Sequence, residues 1–110
     1  MQNLTKEKRS EPRVIIDEPY SMELIVRDVP FLFSSRVWDV SLSGRSMLVR
    51  DDSVLLKQLR IMDKIKMRYW KTEATRSHSS NIEGEIRHIT KHTDRRMEGN
   101  HLVGIYEFLI

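Results

Sequence analysis

The chain has 110 residues, no cysteine, and 19 lysines and arginines against 16 acidic residues, for a formal charge of +3. That length allows one domain with one core. The missing cysteines exclude disulfides and a thiolate nucleophile and suit a reducing cytoplasm, and the modest basic excess fits a small anionic ligand better than a nucleic-acid binder with a dense basic face.

Residues 1 to about 12 read as a polar, charged leader, with a domain following from residue 13 to 110. Val14, Ile15 and Ile16 are β-branched and begin a strand that Pro19 is expected to interrupt. Met22 to Val26 reads as a strand closed by Asp28 and Pro30. Arg36 to Leu42 alternates, with Val37, Asp39 and Ser41 on one face and Trp38, Val40 and Leu42 on the other. Gly44 breaks that run and Ser46 to Arg50 resumes it, which predicts a hairpin. Asp51 to Arg60 is the one helical piece, with Asp52 or Ser53 as cap and Leu55, Leu56 and Leu59 on one face. Lys64 to Trp70 has a clean period of two that points Ile65, Met67 and Tyr69 inward and Lys64, Lys66, Arg68 and Trp70 outward. Thr72 to Ser80 is a polar loop. Ile82 to Thr90 is a strand with Gly84 as a candidate bulge, and Glu98 to Asn100 is a turn. Leu102 to Ile110 is a last strand interrupted by Gly104. About six short strands with one helical connector predict an all-β fold, a small antiparallel barrel whose closure removes exposed edges.

Two short patterns carry chemistry. The first is KRSEPR, in which Arg9 and Arg13 stand four residues apart with Pro12 stiffening the approach to Arg13. With 12 arginines in the chain, one such pair is expected by chance, so the spacing decides nothing alone. The second is DVSLSG, Asp39 to Gly44, a rarer pattern placed at a predicted strand end and turn. Asp39 and Ser41 are two apart on a strand, so a carboxylate and a hydroxyl lie side by side, able to accept from and donate to a purine edge. Gly44 allows a positive φ and close approach of a ligand to the backbone. Arginine offers a planar fork that pairs bidentately with guanine O6 and N7 and also grips phosphate.

The pairing of these motifs resembles the PilZ domain, the bacterial receptor module for cyclic di-GMP, and the resemblance runs over nearly the whole chain. KRSEPRV is similar to the family's RxxxR leader, WDVSLSGRSMLV to its [DN]xSxxG strand–turn–strand, LRIMDKIKMRYW to its middle strand, IEGEIRHI to the next, and HLVGIYEFLI to its glycine-containing last strand. The resemblance implies a six-stranded antiparallel split barrel. It also implies a cyclic di-GMP site in which Arg9 and Arg13 hold guanine and phosphate while Asp39, Ser41 and Gly44 line the other side. Lys8 occupies the position where a basic residue goes with binding two intercalated ligand molecules rather than one; lysine lacks arginine's fork, and both stoichiometries stay open. Many members carry a helix after the last strand, and this chain stops at Ile110, which implies a stand-alone minimal domain. The implied function is a non-catalytic receptor that signals to a protein partner in motility, exopolysaccharide, pilus or virulence control. The alternative is a barrel of the same family that binds proteins and no nucleotide.

Other chemistry is weakly marked. His88 and His92 are four apart, which on a strand separates them by about 13 Å, and no HExxH pattern accompanies them, so no metal is expected. Serine, histidine and aspartate are present without a nucleophile elbow, so no catalysis and no cofactor are expected. Trp38 and Trp70 read as core or barrel-surface aromatics. No apolar run approaches the roughly 18 residues that span a bilayer, so no membrane insertion is expected. The outward face of KIKMRYW is the one hint of single-strand nucleic-acid binding, a reading ranked below the others; no DNA or RNA partner is expected.

Overall fold

The computed structural model describes residues 12–91 and 94–108. Six strands form a closed antiparallel barrel: β1 (Val14–Val26), β2 (Val29–Val40), β3 (Gly44–Arg50), β4 (Lys64–Trp70), β5 (Ser80–Lys91) and β6 (Asn100–Glu107). Their spatial order is β1-β2-β3-β6-β5-β4, with β4 pairing back to β1. The expected all-β barrel with one short helical connector is the fold observed.

The period of two in β4 does what it predicts. Ile65, Met67 and Tyr69 enter a core shared with Met22, Leu24 and Val26 of β1, Met47 and Val49 of β3, Ile82 and Ile86 of β5, and Val103 and Ile105 of β6. Each such side chain contributes about 1.5–3 kcal/mol by leaving water. The connector α1 (Val54–Gln58) is capped by Ser53, whose Oγ accepts from the Leu55 amide at 3.1 Å. It is much shorter than the expected 51–60 span, because Leu59 already has extended backbone. Its buried Leu55, with Leu59 beyond it, joins the core cluster against which Phe31 and Phe33 also pack. The β2–β3 ladder runs only from Val37 to Val40, and the Ser35 hydroxyl donates to the Leu48 carbonyl where the ladder has ended.

Pro19 does not interrupt β1, and Pro30 lies inside β2. Both sit where their strand has one neighbour, since β4 joins β1 only from Ser21 and β3 joins β2 only from Val37. A missing N–H is tolerated at an open edge. The Val29 to Ser35 half of β2, not expected from the sequence, follows β1 through a two-residue turn with Arg27 and Asp28 at φ 49° and 66°. Gly104 does not interrupt β6, and Gly84 is in regular register on both sides. The expected polar loop after β4 holds a 3-10 turn, Glu73–His78. Trp70 points outward as expected but is buried, 5% exposed, with the Arg68 and Arg76 guanidiniums over its ring at 5.4 and 4.7 Å. It offers no open face for stacking a base.

Candidate functional site

Besides the β1 bulge between Ile15 and Glu18, two strands carry one extra residue each beside the motif turn. On β2 the register shifts between Val37, opposite Met47, and Asp39, opposite Ser46. On β5 it shifts between Ile86, opposite Ile105, and His88, opposite Gly104. Met47 and Ile105 belong to the core, so Ser46 and Gly104, next to them in their strands, face outward. Each bulge therefore turns two consecutive side chains to the outside: Trp38 with Asp39, and Arg87 with His88. Bulges commonly re-aim side chains in this way beside functional sites.

The result is a row across four strands on the outer face, Asp39 (β2), Ser46 (β3), Gly104 (β6) and His88 (β5), each opposite the next. The expected alternation of Val37, Asp39 and Ser41 against Trp38, Val40 and Leu42 is broken by the β2 bulge, with Val37, Trp38 and Asp39 all buried. Trp38 packs with Leu48, Met97 and Leu102 in a second, outer cluster. The 3-10 turn Arg95–Met97 supplies Met97 to that cluster, and the Arg96 guanidinium lies 4.8 Å from the Trp38 ring centre. Asp94 hydrogen-bonds Arg96 and raises its pKa further above the ordinary value, keeping the cation fixed there.

Asp39 is 7% exposed, and its carboxylate is met by Arg13, whose Nη1 donates to Oδ1 at 2.9 Å. Arg13 is the more exposed partner, with 39% of its side-chain surface open against 10% for Asp39. The second arginine of RxxxR thus touches the first residue of [DN]xSxxG. Arg9 and Lys8 lie outside the described residues.

The rest of the second motif is a tight turn. The Ser41 amide donates to the Gly44 carbonyl at 2.8 Å, and β2 has ended at Val40, so Ser41 stands at the turn and not on the Asp39 strand face as expected. Leu42 forms the tip, 81% exposed. Gly44 does not use a positive φ, correcting one part of its expected role; Gly99 is the glycine with φ 82°. A Cβ on Gly44 would collide with the Ile105 carbonyl, so the missing side chain lets β3 close onto β6. Gly104 is similar in kind: the His88 imidazole occupies the space a Cβ there would need.

Arg13, Ser41, Ser43, Gly44, Gly104 and Tyr106, with Arg87 and His88 opposite, line a shallow depression of about 100 Å³. Arg87 lies over the Tyr106 ring at 4.5 Å and pairs with Glu85 at 2.9 Å. The structure thus brings Arg13, Asp39, Ser41 and Gly44 to one corner. Sequence reasoning missed Ser46, Arg87, His88, Gly104 and Tyr106. The available signal was the pattern IRHI, two polar residues between two isoleucines, which a regular strand cannot bury on one side. Among the described residues no group of three or more histidines, aspartates or glutamates is arranged to hold a metal, and no helix is long and apolar enough to cross a membrane.

Fold and corner together define a small closed antiparallel barrel with a cationic and hydroxyl-rich site on its outer face. Neither a protein-family model nor a curated protein sequence matches the chain. Solved structures do match in fold. One is the inhibitor of motility MotI/DgrA of Bacillus subtilis, at a TM-score of 0.61 and 11% identity, covering 94% of this chain and 43% of that one. Another is the PlzA protein of Borreliella burgdorferi, solved in complex with c-di-GMP, at a TM-score of 0.59 and 10% identity, covering 98% of this chain and 50% of that one. This chain therefore spans half or less of the length of either neighbour.

Proposed function

We propose that this protein is a non-catalytic receptor for cyclic di-GMP, which docks on the outer barrel face where Arg13 meets Asp39. The single observation that carries the reading is that 2.9 Å contact, which joins a residue of each sequence motif, 26 positions apart, at one place. It is supported by the fold, which is the split barrel the resemblance to the PilZ family implies, and by the likeness to PlzA, a c-di-GMP-bound protein, and to MotI/DgrA, a motility inhibitor.

In mechanism, Arg13 has donors left after its bond to Asp39 and offers its fork to a guanine edge or a phosphate. Ser41 and the Gly44 backbone shape the adjacent turn. Arg9 is four residues upstream, so its Cα can be at most about 14 Å from that of Arg13, within reach of the same ligand. Ligand binding draws Lys8 and Arg9 against the barrel, and the composite surface of ligand, arginines and the exposed Leu42 tip is what a protein partner reads. A ligand at a hundred times its dissociation constant shifts the bound conformation by about 2.7 kcal/mol, enough to switch a partner surface.

The test is calorimetric titration with cyclic di-GMP of the wild type, Arg9→Ala and Arg13→Ala. Each bidentate arginine contact is worth about 1–3 kcal/mol, so each variant should lose roughly tenfold to a hundredfold in affinity. Unchanged affinity in both would end the proposed clamp. The alternative, a protein-binding barrel without a nucleotide, is disfavoured by the presence of both motifs in the chain and by the contact of Arg13 with Asp39.

A further inference from the structure

We propose that Arg87 and His88 are ligand-contacting residues, forming the wall of the nucleotide site opposite Arg13 and Ser41. This deepens the receptor reading and rests on it. Neither residue belongs to the two motifs that suggested the site.

Three observations carry it. First, the β5 bulge has a consequence for chemistry. In a regular strand His88 would point into the core with Ile86, but the extra residue sends Arg87 and His88 together to the outer face, and Ile89 packs against the core instead. Second, Gly104 holds His88 in place. The imidazole lies over the glycine, in space any side chain there would take, so the ring forms part of the floor of the depression. Third, the strand row beside the depression has hydrogen-bonding capacity that the described residues do not use. Ser46 stands between Asp39 and Gly104 in the same row, and its Oγ is buried with no hydrogen-bond partner among the described residues. An unsatisfied buried hydroxyl costs about 1–3 kcal/mol.

The row spans three strand spacings from Asp39 to His88, about 14 Å. A cyclic dinucleotide has two bases and two phosphates to place. Arg13 serves one end of this row, and the far end needs its own cation and stacking surface. Arg87 supplies both, as a guanidinium plane already laid on the Tyr106 ring at 4.5 Å. Its present partner, Glu85, is on the same strand, and Arg87 is half-exposed, so turning to a phosphate breaks one solvated ion pair. His88 adds a ring nitrogen at the floor, where a base edge or a phosphate oxygen comes within reach.

The test compares Arg87→Ala, Arg87→Lys, His88→Ala and His88→Gln with Arg13→Ala and wild type by calorimetric titration with cyclic di-GMP. In parallel, imidazole carbon–proton resonances of wild-type protein are followed during the titration. We expect roughly tenfold or greater loss of affinity for Arg87→Ala and His88→Ala, unchanged melting temperatures within a few degrees, partial recovery in Arg87→Lys, and a ligand-dependent shift of the His88 resonances. If wild type binds and Arg13→Ala weakens it while the Arg87 and His88 variants bind like wild type, the wall is wrong and the receptor reading stands. If a variant fails to fold, the wild-type His88 resonances decide, and their immobility at saturating ligand overturns the proposal. If wild type does not bind at all, both readings fall.

Discussion

Arg13 and Asp39, 26 positions apart in sequence, are joined by a 2.9 Å charge-assisted hydrogen bond on the outer face of the barrel. The pair is asymmetric: the carboxylate is nearly buried and the guanidinium is not. Removing the arginine leaves a buried charge without its partner, at a cost of about 1–3 kcal/mol, whereas removing both leaves no such charge. Arg13→Ala should therefore lower the melting temperature, and Arg13→Ala with Asp39→Ala should recover part of the loss. Thermal melts of the two single variants and the double variant measure the coupling, and strict additivity would show that the bond does not hold the arm to the barrel.

Gly44 is a folding residue before it is a ligand residue. Its Cβ would meet the Ile105 carbonyl, a backbone atom that cannot step aside without opening the β3–β6 ladder. Gly44→Ala should destabilise by about 1–3 kcal/mol or more, read as a drop of some 4–8 °C in melting temperature for each kcal/mol. A loss of ligand binding in that variant without such a drop would instead assign the glycine to the ligand.

Tyr20 should ionise late. Burial, then the hydrogen bond and charge of Glu18, then neighbouring Tyr69, push its pKa up to about 12 from 10.0. Because the folded value is raised, the neutral phenol's contribution to stability is fully present below about pH 10 and is lost as pH climbs toward 12. An alkaline titration followed by tyrosinate absorbance should show a step near pH 12 that Tyr20→Phe abolishes.

Asp51 sets an acid limb. Its hydrogen bond to Lys91 at 2.9 Å, and then its bond to His101 Nδ1 at 2.7 Å, hold its pKa below the ordinary 3.8 despite some desolvation. A lowered folded pKa means the stabilisation is present above about pH 4 and is lost as pH falls through the folded value. Asp51→Asn should flatten the loss of stability below about pH 4 relative to wild type, checked by denaturant unfolding in acid.

What the sequence made legible follows from period two. KIKMRYW alternates without interruption, and its inward residues are core residues in the structure. The DVSLSG turn was legible because turns need small polar residues in order. The bulges were not, because an extra residue keeps the local composition of a strand while exchanging its faces. VWDV and IRHI hold the same device: two outward residues between two inward ones, read as ordinary alternation in the first case and unmarked in the second. Pro19 and Pro30 misled for a related reason, since whether a proline interrupts a strand depends on whether that stretch has a second neighbour, which only closure decides. The roles of Gly44 and Gly104 rest on Ile105 and His88, partners distant in sequence that no local pattern names.

The most direct measurement is the backbone amide spectrum of the wild-type protein through a titration with cyclic di-GMP. The account predicts saturable shifts concentrated at Arg13, Asp39, Ser41 to Gly44 and the outer row through Gly104. An unchanged spectrum at high ligand concentration, or shifts confined to the Lys64–Trp70 face, would contradict it.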